Sequence, residues 1–125
     1  MSRLAWNGTR ALRGADAAEL IPKVCGYWRK SLQDTDFLAG CTVFAAAVDG
    51  SDPVREAIVT AVAGWRDALA AKLSGVAEPN RLATVILTAV EGAILLARAQ
   101  RSVAPLDDVE AELSFLLESR IHRPA

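Results

Sequence analysis

Residues 80–100 read NRLATVILTAVEGAILLARAQ, and the question of what covers this stretch decides the fold. Wound at 100° per residue, Leu82, Val85, Ile86, Leu87, Ala89, Val90, Ala93, Ile94 and Leu96 occupy well over half of a helix circumference. Only Thr84, Thr88, Glu91 and Arg98 make a polar strip. A helix this apolar has to be covered on more than one side. In a chain of 125 residues the rest of the domain covers one side, and a second copy is the economical cover for the other. The apolar run itself, residues 82–97, falls short of the roughly 20 residues that span a bilayer and carries Glu91 in its middle. No membrane segment is expected.

The flanking segments also read as helices. Residues 105–121 start at Pro105 with Asp107 and Asp108 in the first turn, where carboxylates suit the helix dipole. Leu106, Val109, Leu113, Leu116 and Leu117 form the stripe of this helix, and Phe115 projects from another side. Upstream, the turn Asp49-Gly50-Ser51-Asp52-Pro53 signals a helix start, with Asp52 as N-cap and Pro53 as first helical residue. That helix is expected to reach Ser74, stop at Gly75, and line one face with Val54, Ala57, Ile58, Ala61, Val62, Trp65, Leu69 and Leu73.

Residues 37–48, FLAGCTVFAAAV, are apolar enough for a buried strand, but the alanine triplet and the lack of a strand partner favour a short helix after Gly40. Residues 17–33 predict a helix capped by Asp16, with Leu20, Ile21, Val24, Cys25, Tyr27, Trp28 and Leu32 on one arc. Pro22 predicts a kink or a late start there. A short helix at residues 2–13 ends at Gly14. The expectation is an all-α bundle and one domain, with no internal repeat and no dividing linker.

Composition narrows the function. The chain is 52% hydrophobic, and its mean hydropathy is +0.23. Such an excess needs a cavity or a partner interface to absorb it. With 14 basic and 15 acidic residues the net charge is −1, so there is no electrostatic reason to expect residues of this chain to bind nucleic acid. Cys25 and Cys41 do not make a disulfide framework, and residues 1–14 hold Arg3, Arg10 and Arg13 without an apolar h-region. A reduced, cytoplasmic setting is expected.

Four segments together resemble one family. GCTVFAAAV (residues 40–48) is similar to the "GCP-apolar" segment of the LmrA/YxaF-like branch of TetR-type transcriptional regulators. WRDAL (65–69) resembles that branch's mid-helix pattern, and LTAVEGAILLARA (87–99) its "EGALLLARA" helix. SVAPL (102–106), followed by an acidic amphipathic helix, fits as well, so the resemblance covers residues 16–117. Thr42 stands where the family usually has Pro. The resemblance implies a C-terminal sensor domain that dimerises through its last two long helices and holds a small hydrophobic effector among the others. It also implies that the three-helix, DNA-reading helix-turn-helix module is missing, with residues 1–14 as a remnant of the connecting helix, 15–121 as the sensing and dimerisation domain and 122–125 as a tail.

On that resemblance the ligand pocket is expected at Tyr27, Trp28, Phe37, Phe44, Ile58, Trp65, Leu69, Thr88 and Glu91. The homodimer interface is expected at Leu87, Val90, Ile94, Arg98, Val109, Leu113, Phe115 and Leu116. Each aromatic taken singly reads first as plain core, and only the set together marks where a cavity would be. Glu91 is either a polar anchor at the pocket wall or a carboxylate on a bridging strip paired with Arg98; buried and unpaired it would be costly. Trp65→Ala separates the readings, because truncation in a packed core costs roughly 3–5 kcal/mol and much less beside an empty pocket.

His122 reads as part of a solvated tail, and Cys25 and Cys41 as structural thiols. No nucleophile–base set, phosphate loop or metal-ligand spacing appears, so no cofactor, metal or catalytic residue is expected. The rival is a stand-alone helical interaction protein with a solid core and no ligand, or a partner that forms mixed dimers with a full-length regulator.

Overall fold

A computed structural model describes residues 16–40 and 50–121. The expected helix at 2–13, the tail at 122–125, and the short helix expected after Gly40, with Cys41 and Phe44, lie outside the described residues.

Asp16 caps the first described element as its position predicts. Its carboxylate accepts from the Glu19 N–H at 3.0 Å and opens a 3-10 turn, Ala17–Glu19, that leads into helix α1, Leu20–Asp34. Pro22 is therefore in the first α-helical turn, where a missing N–H is harmless, and the late start replaces a kink. Leu20, Ile21, Val24, Cys25, Trp28 and Leu32 recur at three- and four-residue steps and are all buried.

Phe37 precedes the segment expected to be helical. It sits in a turn behind α1 with φ +64°, beside Asp36 at φ +54°. Two contacts from the far end of the bundle hold this strained corner. The Arg101 guanidinium pairs with Asp36 at 2.8 Å and stacks over the Phe37 ring at 5.8 Å. Gly40 ends the described stretch against Arg98, where a Cβ would collide with the guanidinium.

Helix α2, Asp52–Lys72, starts one residue earlier than its turn signal suggests. Ser51 is the cap and Asp52 the first helical residue; the Asp52 carboxylate accepts from Arg55 at 2.9 Å instead of capping the backbone. It also stops earlier, at Lys72, with Gly75 in the turn beyond at φ +88°. Of its expected apolar face, Trp65, Leu69 and Leu73 are buried, Ile58, Ala61 and Val62 partly so, and Val54 and Ala57 are exposed. The helix dips into the core only in its second half.

Helix α3, Pro79–Gln100, is the central rod. It runs between α2 on one flank and α4, Ala104–Ile121, on the other, and touches α1 as well; α1 in turn lies along α4. Leu82, Ala83, Ile86, Leu87, Val90, Ala93, Ile94 and Ala97 are buried there. At 22 residues α3 is longer than its apolar run and, by length and composition alone, could cross a membrane. Half of its most apolar window is buried inside the fold, as in the core helix of a soluble bundle. Among the described residues there are four α-helices and no strand.

Polar ties fix the outer helices. Arg29 of α1 reaches Asp107 at 2.9 Å and Glu110 at 2.6 Å on α4, and hydrogen bonding to Glu110 raises its already high pKa. Cys25, one turn away, is buried. Its thiol is pushed up to about 12 by burial first and then by the Glu110 charge. Arg120 near the end of α4 donates to the Ala77 carbonyl at 3.3 Å and pins the α2–α3 connection.

Candidate functional site

Among the described residues, three surface hollows and one apolar face have functional potential. The first hollow lies between α2 and α3 and measures about 350 Å³, near the small end of the roughly 300–1,000 Å³ typical of ligand pockets. Ile58, Val59, Val62 and Ala63 wall it from α2, and Thr84, Leu87 and Thr88 from α3. Arg66 is its one charged residue. The second, about 410 Å³, is a groove between the outer sides of α3 and α4, floored by Ala89, Gly92 and Ala93 and edged by Thr88, Leu96, Asp108 and Val109. The third, about 270 Å³, lies between the start of α1 and the end of α4 beside Ile21, Pro22, Leu117 and Ile121.

Of the expected pocket residues, only Ile58 and Thr88 line the α2–α3 hollow together. Trp28, Trp65 and Leu69 are buried in the core and line none of the three hollows; Tyr27 packs edge-on against Trp28, centroids 5.3 Å apart. Trp28, Trp65 and Leu69 belong to the buried hydrophobic cluster to which α1, α2 and α3 all contribute. Phe37 is half-buried beneath Arg101, away from the hollow, and Phe44 lies outside the described residues. Glu91 is 8% exposed and is the only charged side chain that is buried among the described residues. It is one turn along α3 from Leu87 and Thr88, behind the wall they form. Arg98 is exposed and lies against Gly40.

The expected interface divides the same way. Leu87, Val90, Ile94 and Leu113 are buried by the chain's own helices, so their apolar surface is already used within one protomer. Phe115 is 71% exposed, Val109 and Leu116 are partly exposed, and Arg98 is exposed. The outward apolar surface of α3 comes instead from Leu95 and Leu96, 67% and 51% exposed, and from Val85. Sequence reading counted Val85 and Leu96 in the apolar arc without assigning them a role, and left Leu95 out. The signal was the Leu95-Leu96 pair itself: with Ile94 and Ala97 inward, the two residues between them must face out.

Among the described residues no group of three His, Cys, Asp or Glu side chains could hold a metal ion. The geometry of the described residues offers hydrophobic cover and, in Arg66, a cationic side chain at the wall of one hollow.

Residues 17–112 match the family described as transcriptional regulator LmrA/YxaF-like, C-terminal domain, a TetR C-terminal family. The chain belongs to this family. A TetR-type C-terminal domain is all-helical, its proteins regulate transcription, and they are not enzymes. Two curated relatives agree, each an uncharacterized HTH-type transcriptional regulator of Mycobacterium tuberculosis, one from strain CDC 1551 / Oshkosh and one from strain ATCC 25618 / H37Rv. Each is 34% identical over 111 residues, covering 79% of this chain and 57% of the relative. The TetR-family chain thus spans little more than half the length of the relatives it matches. No solved structure matches it. All four motifs that carried the resemblance lie within or overlap the matched span, and α3 with its LTAVEGAILLARA run is the longest of the elements inside it.

Proposed function

We propose that this domain is the effector-sensing and homodimerising part of a TetR-type regulator of the cytoplasm. In this reading DNA is engaged through a helix-turn-helix module joined to the domain, and not through residues 16–121. The observation that carries the proposal is the outer face of α3 and α4. Leu96 edges a groove floored by Ala89, Gly92 and Ala93, and Leu95 of α3 and Phe115 of α4 are exposed as well. Small residues let a second backbone approach closely, and large apolar side chains around them supply the area to bury, about 25 cal/mol per Å². At Gly92 an added Cβ would meet nothing within 4 Å, so the space in front of α3 is open for a facing helix. Two such pairs related by a two-fold axis form a four-helix interface in which each protomer offers the same patch. In the same reading the α2–α3 hollow takes a small, mostly apolar effector.

The test places charge on the outer face. Leu96→Glu and Phe115→Glu alter exposed residues and spare the core of a single chain. Each is expected to shift a dimer to a monomer in light scattering and to abolish the rise of melting temperature with protein concentration that a folded dimer shows. Variants that keep the wild-type mass would end the proposal for this face.

A further inference from the structure

The α2–α3 hollow is apolar apart from one group whose chemistry is unspent. The Arg66 Nε–H is buried and, among the described residues, has no hydrogen-bond acceptor. Among the described residues the one charge partner of Arg66 is its neighbour Asp67, at 3.5 Å from Nη2, a loose contact between side chains 43% and 68% exposed. A guanidinium presents its Nε and one Nη as a fork that matches the two oxygens of a carboxylate. Arg66 lines the hollow while its Nε is buried, so one arm of that fork is withdrawn from water beside an apolar cavity.

The polar groups opposite do not compete for that role. The Thr84 hydroxyl already donates to the Asn80 carbonyl at 3.1 Å, so it offers a ligand only its lone pairs. Thr88 sits at the exposed rim. A neutral apolar molecule would fill the volume between Ile58, Val62 and Leu87 and leave the Arg66 donor stranded under it. An anionic head satisfies that donor and adds the charge complementarity the site otherwise lacks.

We propose that the ligand of this hollow is an apolar carboxylic acid whose carboxylate is held by Arg66 and whose body lies against Ile58, Val62 and Leu87. The inference rests on the effector-sensing reading above and sharpens it. At about 350 Å³ the hollow suits a medium-length chain or a single ring, and not a large polycycle.

The experiment compares octanoate with octanamide, and 4-phenylbutyrate with its amide, by calorimetry and thermal shift on the whole chain. Each acid is expected to bind at least 10-fold more tightly than its amide. Arg66→Gln is expected to weaken the acids by roughly 10- to 100-fold, the range of one charged hydrogen bond, and to leave the amides unchanged. Val59→Trp, which fills the hollow from an exposed position, is expected to abolish acid binding without disturbing the core. Acids and amides that bind alike, or acids indifferent to Arg66→Gln, overturn the carboxylate inference and leave effector sensing standing. Failure of all four compounds to bind overturns both.

Discussion

Trp65→Ala is the perturbation whose magnitude follows most directly from the packing. Trp65 is 5% exposed and belongs to the buried cluster that holds Leu69, Leu73, Leu82 and Ile86. A buried tryptophan removes roughly 200 Å² from water, which at about 25 cal/mol per Å² is about 5 kcal/mol, of which alanine keeps a small part. Measured truncations of this kind cost roughly 3–5 kcal/mol because the neighbours collapse only partly into the void. Against a total stability of roughly 5–15 kcal/mol that is a large fraction. The melting temperature is expected to fall by about 12–20 °C, from about 4 °C per kcal/mol for a domain of this size. Urea unfolding followed by far-ultraviolet circular dichroism, at one fixed protein concentration, measures the loss. A loss below about 1 kcal/mol with an unchanged denaturant slope would refute the reasoning, because it would mean that the indole borders empty space.

Two further outcomes follow from the α1–α4 contact. The Cys25 thiol ionises near 12 in the fold against 9.0 in the unfolded chain. The folded state therefore holds its proton longer, and this contribution to stability is complete below pH 9 and declines as pH rises towards 12. The decline is up to about 1.4 kcal/mol per pH unit, and Cys25→Ala is expected to flatten it in unfolding curves taken across that range in a Cys41→Ser background. Arg29→Met removes the cation that α1 supplies to Asp107 and Glu110 and leaves these two carboxylates, three residues apart on α4, without it. It is expected to lose about 1–2 kcal/mol in low salt and less in high salt, read from paired denaturation curves.

The helices were legible because their signals are local. Asp16 caps where a carboxylate followed by an apolar arc predicts a cap, and the arc from Leu20 to Leu32 is buried except for the half-buried Tyr27. The boundary at Asp52 went one residue astray because Ser51 and Asp52 are both good caps, and Arg55 then engaged the carboxylate. The site was less legible, for a physical reason. Trp28 and Trp65 are large and apolar, and composition alone cannot distinguish an aromatic that fills a core from one that walls a cavity. That distinction depends on where three helices converge. Val90 and Ile94 were assigned to the interface because the helix is apolar nearly all round, which tells that two faces are covered but not which residues meet which cover. Arg66, inside the quoted WRDAL motif, was passed over because an arginine at mid-helix reads as solvated until its Nε is found buried.

The central claim is that α3 lies between its own bundle and a second copy. Sedimentation equilibrium of the whole chain, run from micromolar to near-millimolar concentration, tests it most directly. The account predicts a single species at twice the chain mass of 13.3 kDa over most of that range. A mass that stays at one chain up to the highest concentration would contradict it and leave Leu95, Leu96 and Phe115 bare in water.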